Sequence, residues 1–350
     1  MIHRTVRRGV LALAVVIAAL FATVPLQAAE GNSYTVTRLV SDVPGAAQNL
    51  DPNLVNAWGL TASSTSPWWV ADNGTSLSTL YNGAGTPQSL VVTVGTDSGP
   101  TGVVFNTLGS GFNVTNGTQS GSSRFIFDGE DGVLRGWNPA VDGTHALVGA
   151  MGDPGAIFKG LAIADNMLFA ADFHNNEVAV FDSTWQLVDR FTDTGLPRGY
   201  APFGIQAIGS HIFVTFAKQD ADREDEVAGQ GLGFVDEFDT SGNLVARVAQ
   251  HGQLNAPWGL ALAPGDFGRL SGDLLVGNFG DGEINAYEPR PNGHFTHRGT
   301  LRENGRPISI DGLWALGFGN GAQAGPRNTL FFTAGPDEEA HGLFGKITAG

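Results

Sequence analysis

Phe169-Ala170-Ala171-Asp172-Phe173-His174-Asn175-Asn176-Glu177-Val178-Ala179-Val180-Phe181 reads as two short apolar strands around a tight polar turn. The first strand ends on Asp172 and the second on Phe181, nine residues later. The same spacing recurs from Asp72 to Tyr81, Asp128 to Trp137, Asn278 to Tyr287 and Gly335 to Phe344. A further copy runs from Phe216 to Phe238 with thirteen additional residues. A glycine followed by an apolar residue precedes each copy: Gly59-Leu60, Gly102-Val103, Gly160-Leu161, Gly204-Ile205, Gly259-Leu260 and Gly312-Leu313. These glycines stand 43 to 58 residues apart, the size of one four-stranded repeat unit. Six anchors and six strand pairs predict an all-β, six-bladed β-propeller.

Within a blade the glycine opens the innermost strand, where backbones crowd near the axis. The second strand ends at the Asp or its equivalent and the third at the aromatic residue. The outermost strand is the next apolar run: 89–94, 146–150, 187–191, 244–248 and 295–301. The sixth blade lacks a run of its own after Phe344, and the alternating segment Tyr34 to Val40 has no blade of its own. That segment is expected to complete blade six, closing the ring and removing its edge.

Residues 1–28 form a basic start (Arg4, Arg7, Arg8), an apolar run from Val10 to Val24 and a small-residue end. This pattern predicts a secretory signal peptide, with 29–350 as a single domain and no membrane span after cleavage. The product would be exported, periplasmic or extracellular, and most simply a monomer. The net charge is −15, and removing the leader's three arginines takes it to −18. Such a surface repels nucleic acid and anionic membranes and favours cations. The absence of cysteine excludes disulfides, thiol nucleophiles and cysteine metal sites. Fifty glycines without a period of three fit a hairpin-rich chain rather than collagen.

Val70-Ala71-Asp72-Asn73-Gly74 and the stretch from Ala170 to Asp182 resemble the NHL type of repeat. The mature chain also resembles a family of exported bacterial propellers known mainly as conserved hypothetical proteins. Asn56-Ala57-Trp58-Gly59-Leu60, the run from Gly99 to Asn106, the run from Gly132 to Pro139, and Ala256-Pro257-Trp258-Gly259-Leu260 carry that likeness. The resemblance implies the propeller and no particular activity.

In a propeller, the starts of the inner strands and the hairpins between second and third strands share one face, the top. Ligand sites collect there. Just before the six glycines stand Trp58, Thr101, Lys159, Phe203, Trp258 and Asp311. Asn56, Trp58, Thr101, Phe203 and Trp258 are the ligand-binding candidates, with the two tryptophans either stacking platforms or packing. Lys159 and Asp311 are the charged members, on opposite blades, and form either an ion pair or a ligand or metal site. His174 and His341 lie in the top hairpins of the same blades and suit proton transfer or metal ligation. Five carboxylates between Asp220 and Glu226 mark an insertion in blade four, either a solvated acidic loop, a calcium site or a cover over the mouth. The blade-six hairpin from Asp337 to His341 is a second acidic loop on that face.

Three readings follow. The first is a propeller that binds a small molecule, glycan or polymer at its mouth. The second is a metal-assisted hydrolase or lyase of lactonase-like design. There Asp311 would hold calcium or zinc, His174 and His341 would serve as ligands or base, and Lys159 would stabilise negative charge. The third is a protein-interaction scaffold. No GxSxG serine or phosphate-cradling glycine loop is present.

Overall fold

The computed structural model describes residues 33–291 and 293–350. The proposed leader lies outside them. Six antiparallel sheets form a six-bladed β-propeller, and their strands follow one another outward from the axis. Blade three is the plainest: Phe158–Ala164, Met167–Asp172, Glu177–Phe181 and Leu187–Phe191. Blades one, two, four and five begin with Ala57–Thr61, Pro100–Phe105, Tyr200–Ile208 and Pro257–Leu262. In blade six, Leu313–Phe318, Leu330–Ala334 and Leu343–Ala349 are followed on the outside by Tyr34–Ser41. The closing strand therefore forms as expected, antiparallel to Leu343–Ala349 from Tyr34↔Ala349 to Ser41↔Leu343.

The core is divided among the gaps between blades. One apolar cluster fills each gap, and the residue ending each third strand faces the preceding blade. Tyr81 packs with Phe331 and Phe344 of blade six, and Trp137 with Trp69 of blade one. Phe181 packs with Phe112 of blade two, Phe238 with Phe169 of blade three, and Tyr287 with Phe213 of blade four. In blade six the nine-residue rule fails. The hairpin from Gly335 to Gly342 is longer, so Phe344 pairs with Thr333 near the start of the third strand. Ile347 takes the aromatic's place, paired with Leu330 and packed into the gap with blade five.

Every inner strand carries a register shift near its start, which sets two residues against the ring axis. The pairs are Trp58-Gly59, Thr101-Gly102, Lys159-Gly160 and Phe203-Gly204 in blades one to four. In blade five the shift falls between Pro257 and Gly259, leaving Trp258 out of register. In blade six the pair is Trp314-Ala315. Each glycine abuts the next blade: a Cβ on Gly204 would lie 2.1 Å from the Trp258 carbonyl oxygen, and one on Gly259 2.4 Å from that of Trp314. Gly312, read above as the sixth anchor, instead sits at φ +61° in the turn before the strand, against the backbone of Gly335.

Candidate functional site

The correct sixth axial residue is thus Trp314, and Asp311 is displaced from the axis. The axial ring is Trp58, Thr101, Lys159, Phe203, Trp258 and Trp314. Its aromatic members form a plug. Trp58 stacks on Trp314 with centroids 3.5 Å apart, and Phe279 stacks on the same ring at 4.2 Å. Trp258 meets Trp58 edge-on at 6.1 Å, and Phe203 meets Trp314 edge-on at 5.8 Å. Trp258 Nε1 donates to the Lys159 carbonyl (2.7 Å), tying blades five and three across the axis. Thr101 Oγ1 lies within hydrogen-bonding distance of Asp128 Oδ1 (3.0 Å) and of the Phe158 carbonyl (2.9 Å).

Lys159 adds charge to this apolar ring. Its side chain is 2% exposed, and its Nζ lies 5.3 Å from the centroid of the Trp58 ring. Nζ donates to Glu130 Oε1 (2.5 Å) in the blade-two hairpin and to Asp225 Oδ1 (3.2 Å) in the blade-four insertion. Burial opposes the charge, but Glu130, helped by Glu226 and Asp225, overrides it and holds the ammonium above its usual range. The site's hydrogen bonds continue from there. Glu130 Oε2 accepts from Asn73 Nδ2 (2.9 Å), and Asn56 Nδ2 donates to Asn73 Oδ1 (3.2 Å) and Glu339 Oε2 (2.6 Å). Trp314 Nε1 donates to Asn56 Oδ1 (3.2 Å), so Asn56 joins the plug to the acidic layer above it.

The blade-four insertion is a tight hairpin, closed by Asp220 N to Asp225 O (2.9 Å) and Val227 N to Lys218 O (2.7 Å). It lies against the mouth, with Asp225 on Lys159 and Gln219 Nε2 donating to the Phe173 carbonyl (2.6 Å). Burial pushes the Glu226 carboxyl up to about 7, against the pull of Lys159. Burial also raises Glu339, with the Asn56 hydrogen bond opposing. Four carboxylates from three blades therefore share one ammonium.

No family model matches the chain. An uncharacterised protein of Acanthamoeba polyphaga mimivirus is 34% identical over 333 residues, spanning 90% of this chain and 80% of its own length. A second from the same virus is 30% identical over 333 residues, spanning 90% and 86%. The chain belongs to their family. The relatives that show this family are uncharacterised viral proteins, not the exported bacterial propellers the sequence resembled. Among solved structures, virginiamycin B lyase from Staphylococcus aureus superposes with a TM-score of 0.51 at 14% identity, covering 90% of this chain and 99% of the lyase. A Bacteroides thetaiotaomicron protein of unknown function gives a TM-score of 0.57 at 11% identity, covering 90% of this chain and 76% of that one. At these identities the likeness is one of fold.

Several residues singled out in the sequence lie elsewhere than expected. Trp58 is 2% exposed, Trp258 8%, and Phe203 and Thr101 are fully buried, so neither tryptophan presents an open stacking face. Asp311 is exposed, and its Oδ2 accepts from the Asp337 amide (2.9 Å). His341 Nδ1 donates to Asp42 Oδ2 (2.8 Å), and this bond raises its pKa. His174 Nε2 accepts from Arg223 of the insertion (3.2 Å). Among the described residues, no three histidine or carboxylate side chains gather in a metal-holding arrangement. Asp311, His174 and His341 do not form the expected trio. Glu130 was missed, although its turn, Gly129-Glu130-Asp131-Gly132, lies on the face where the second and third strands meet.

Proposed function

We propose that this protein is an exported binding propeller whose working surface is the acidic top mouth, and that its ligand presents an ammonium or guanidinium group. The supporting observation is the imbalance at Lys159. Glu130, Asp225, Glu226 and Glu339 surround one buried cation, and Asp225 and Glu130 stay partly open to solvent. A ligand cation docking there would gain charge-assisted hydrogen bonds in a poorly hydrated setting. The insertion supplies Asp225 and Glu226, so it would help to hold the ligand. The test is calorimetric titration of the mature chain with spermine, a lysine-rich peptide and a neutral oligosaccharide. We expect the cations to bind, more weakly in high salt, and about tenfold more weakly to the Glu130→Gln/Glu339→Gln double variant. Binding of the oligosaccharide alone, or cation binding indifferent to the double variant, would overturn the reading.

A second reading, a hydrolase or lyase at the same mouth, rests on Glu226. A carboxyl at about 7 beside an ammonium can carry a proton near neutrality. An ester and lactone screen whose turnover follows that ionisation and vanishes in Glu226→Gln would favour it. Turnover unchanged in that variant would remove it.

A further inference from the structure

A cleft of about 910 Å³ lies between the closing strand and the segment that links blades five and six, bordered by the hairpin that carries Glu339 to the mouth. Its volume falls in the range of small-molecule pockets. Its apolar wall is built by Val36, Val43, Ile308, Phe332 and Leu343. Two guanidinium groups, Arg38 and Arg306, line it. Both residues are exposed, and neither side chain has a hydrogen bond or ion pair among the described residues. In a chain with 34 acids and 19 basic residues, two arginines in one cleft with no carboxylate paired to them are conspicuous. The two carboxylates of the cleft, Glu303 and Asp311, pair with backbone amides and not with either arginine. Glu303 Oε1 accepts the Val36 amide (2.9 Å), and Asp311 Oδ2 accepts the Asp337 amide (2.9 Å). His341, at the rim, donates to Asp42.

We infer that this cleft is a second binding site, for an amphipathic organic anion: an apolar body against the half-buried Val36, Val43 and Ala46, and an acidic head group on Arg38 and Arg306. Guanidinium groups suit such a head because they pair bidentately with carboxylate, sulfonate or phosphate oxygens. The apolar wall would supply most of the affinity and the arginines the orientation.

Anilinonaphthalene sulfonate, which carries both features, is the probe. Titrated into the folded wild-type chain, it should show saturable fluorescence enhancement with one equivalent bound. The Arg38→Ala/Arg306→Ala double variant should bind about tenfold more weakly, as expected for loss of charge-assisted contacts. Ala46→Trp, which fills the cleft from a partly buried wall position, should abolish saturable binding. Circular dichroism of each variant checks that the fold is kept. No saturable binding by wild type, or equal binding by the double variant and by Ala46→Trp, would overturn the inference.

Discussion

Lys159 shows how one side chain can be both costly and fixed. Its buried Nζ lies over the Trp58 ring, so the charge persists only because carboxylates reach it from two other blades. The partners are unequal in burial. The Lys159 side chain is 2% exposed, Glu130 34% and Asp225 74%. Removing either member of the Lys159–Glu130 pair should therefore have different effects. Glu130→Gln leaves the buried ammonium with one hydrogen-bonded carboxylate, the exposed Asp225, and should cost about 2 kcal/mol, below the roughly 3–5 kcal/mol of a fully buried pair because Glu130 is partly hydrated. Lys159→Met leaves its two ion-paired carboxylates, Glu130 and Asp225, within reach of water and should cost under about 1 kcal/mol. Urea unfolding of both variants checks the order, and a larger loss in Lys159→Met would contradict it.

The inner-strand bulge is the element that repeats most faithfully. Its amides are met by a polar side chain in alternate blades: Gly102 N donates to Asp128 (2.5 Å), Gly204 N to Thr215 (2.8 Å) and Ala315 N to Thr333 (3.0 Å). The odd blades place Ala71, Ala171 and Gly277 at the matching point of the second strand and put Asp72, Asp172 and Asn278 one residue later. Asp128 and Asp72 are therefore not equivalent, although the nine-residue spacing equates them. Buried as they are, both carboxyls are pushed up, Asp128 to about 7. The bulge also explains which glycines matter. Gly204→Ala should destabilise by about 2–3 kcal/mol, since its Cβ would meet the Trp258 carbonyl at 2.1 Å. Ala315→Gly, at the corresponding place in blade six, should cost only about 0.5–1 kcal/mol, the entropic penalty of glycine. Thermal unfolding of the pair measures the contrast.

Five blades were legible because local pairing, aromatic position and glycine all agreed. Blade six was misread because Gly312-Leu313 imitates the anchor while the true one carries alanine. Trp314-Ala315-Leu316 matches Trp58-Gly59-Leu60 and Trp258-Gly259-Leu260, and that signal would have found it. Lys159 was placed at the mouth from sequence, as was the general position of the two acidic hairpins. Their convergence on one ammonium was not legible, since Glu130, Asp225 and Glu339 come from hairpins far apart in the chain whose reach no spacing encodes.

At the scale of the whole molecule, six interblade cores and one axial plug divide the burial, so the ring depends on its last gap being filled. Tyr34 is 1% exposed, donates its hydroxyl to the Phe267 carbonyl (3.1 Å) and packs on that ring at 4.9 Å. A chain lacking the closing strand Tyr34–Ser41 would expose the full outer edge of Leu343–Ala349 and should aggregate. Size-exclusion chromatography with light scattering would show this, and a monomeric, cooperatively folded truncation would contradict it. Among the described residues no helix is long and apolar enough to cross a membrane.

The closing strand also sets a schedule. Residues 34–41 are among the first described residues to be made and residues 343–349 among the last, yet they are neighbours in one sheet. A growing polypeptide can assemble blades one to five in turn, while its opening segment waits, unpaired, for almost the whole length of synthesis. Completion of the ring is therefore a late, single event with very large sequence separation, the kind of contact that folds slowly and leaves a sticky edge exposed meanwhile. That late closure is as much a property of this architecture as any of its side chains.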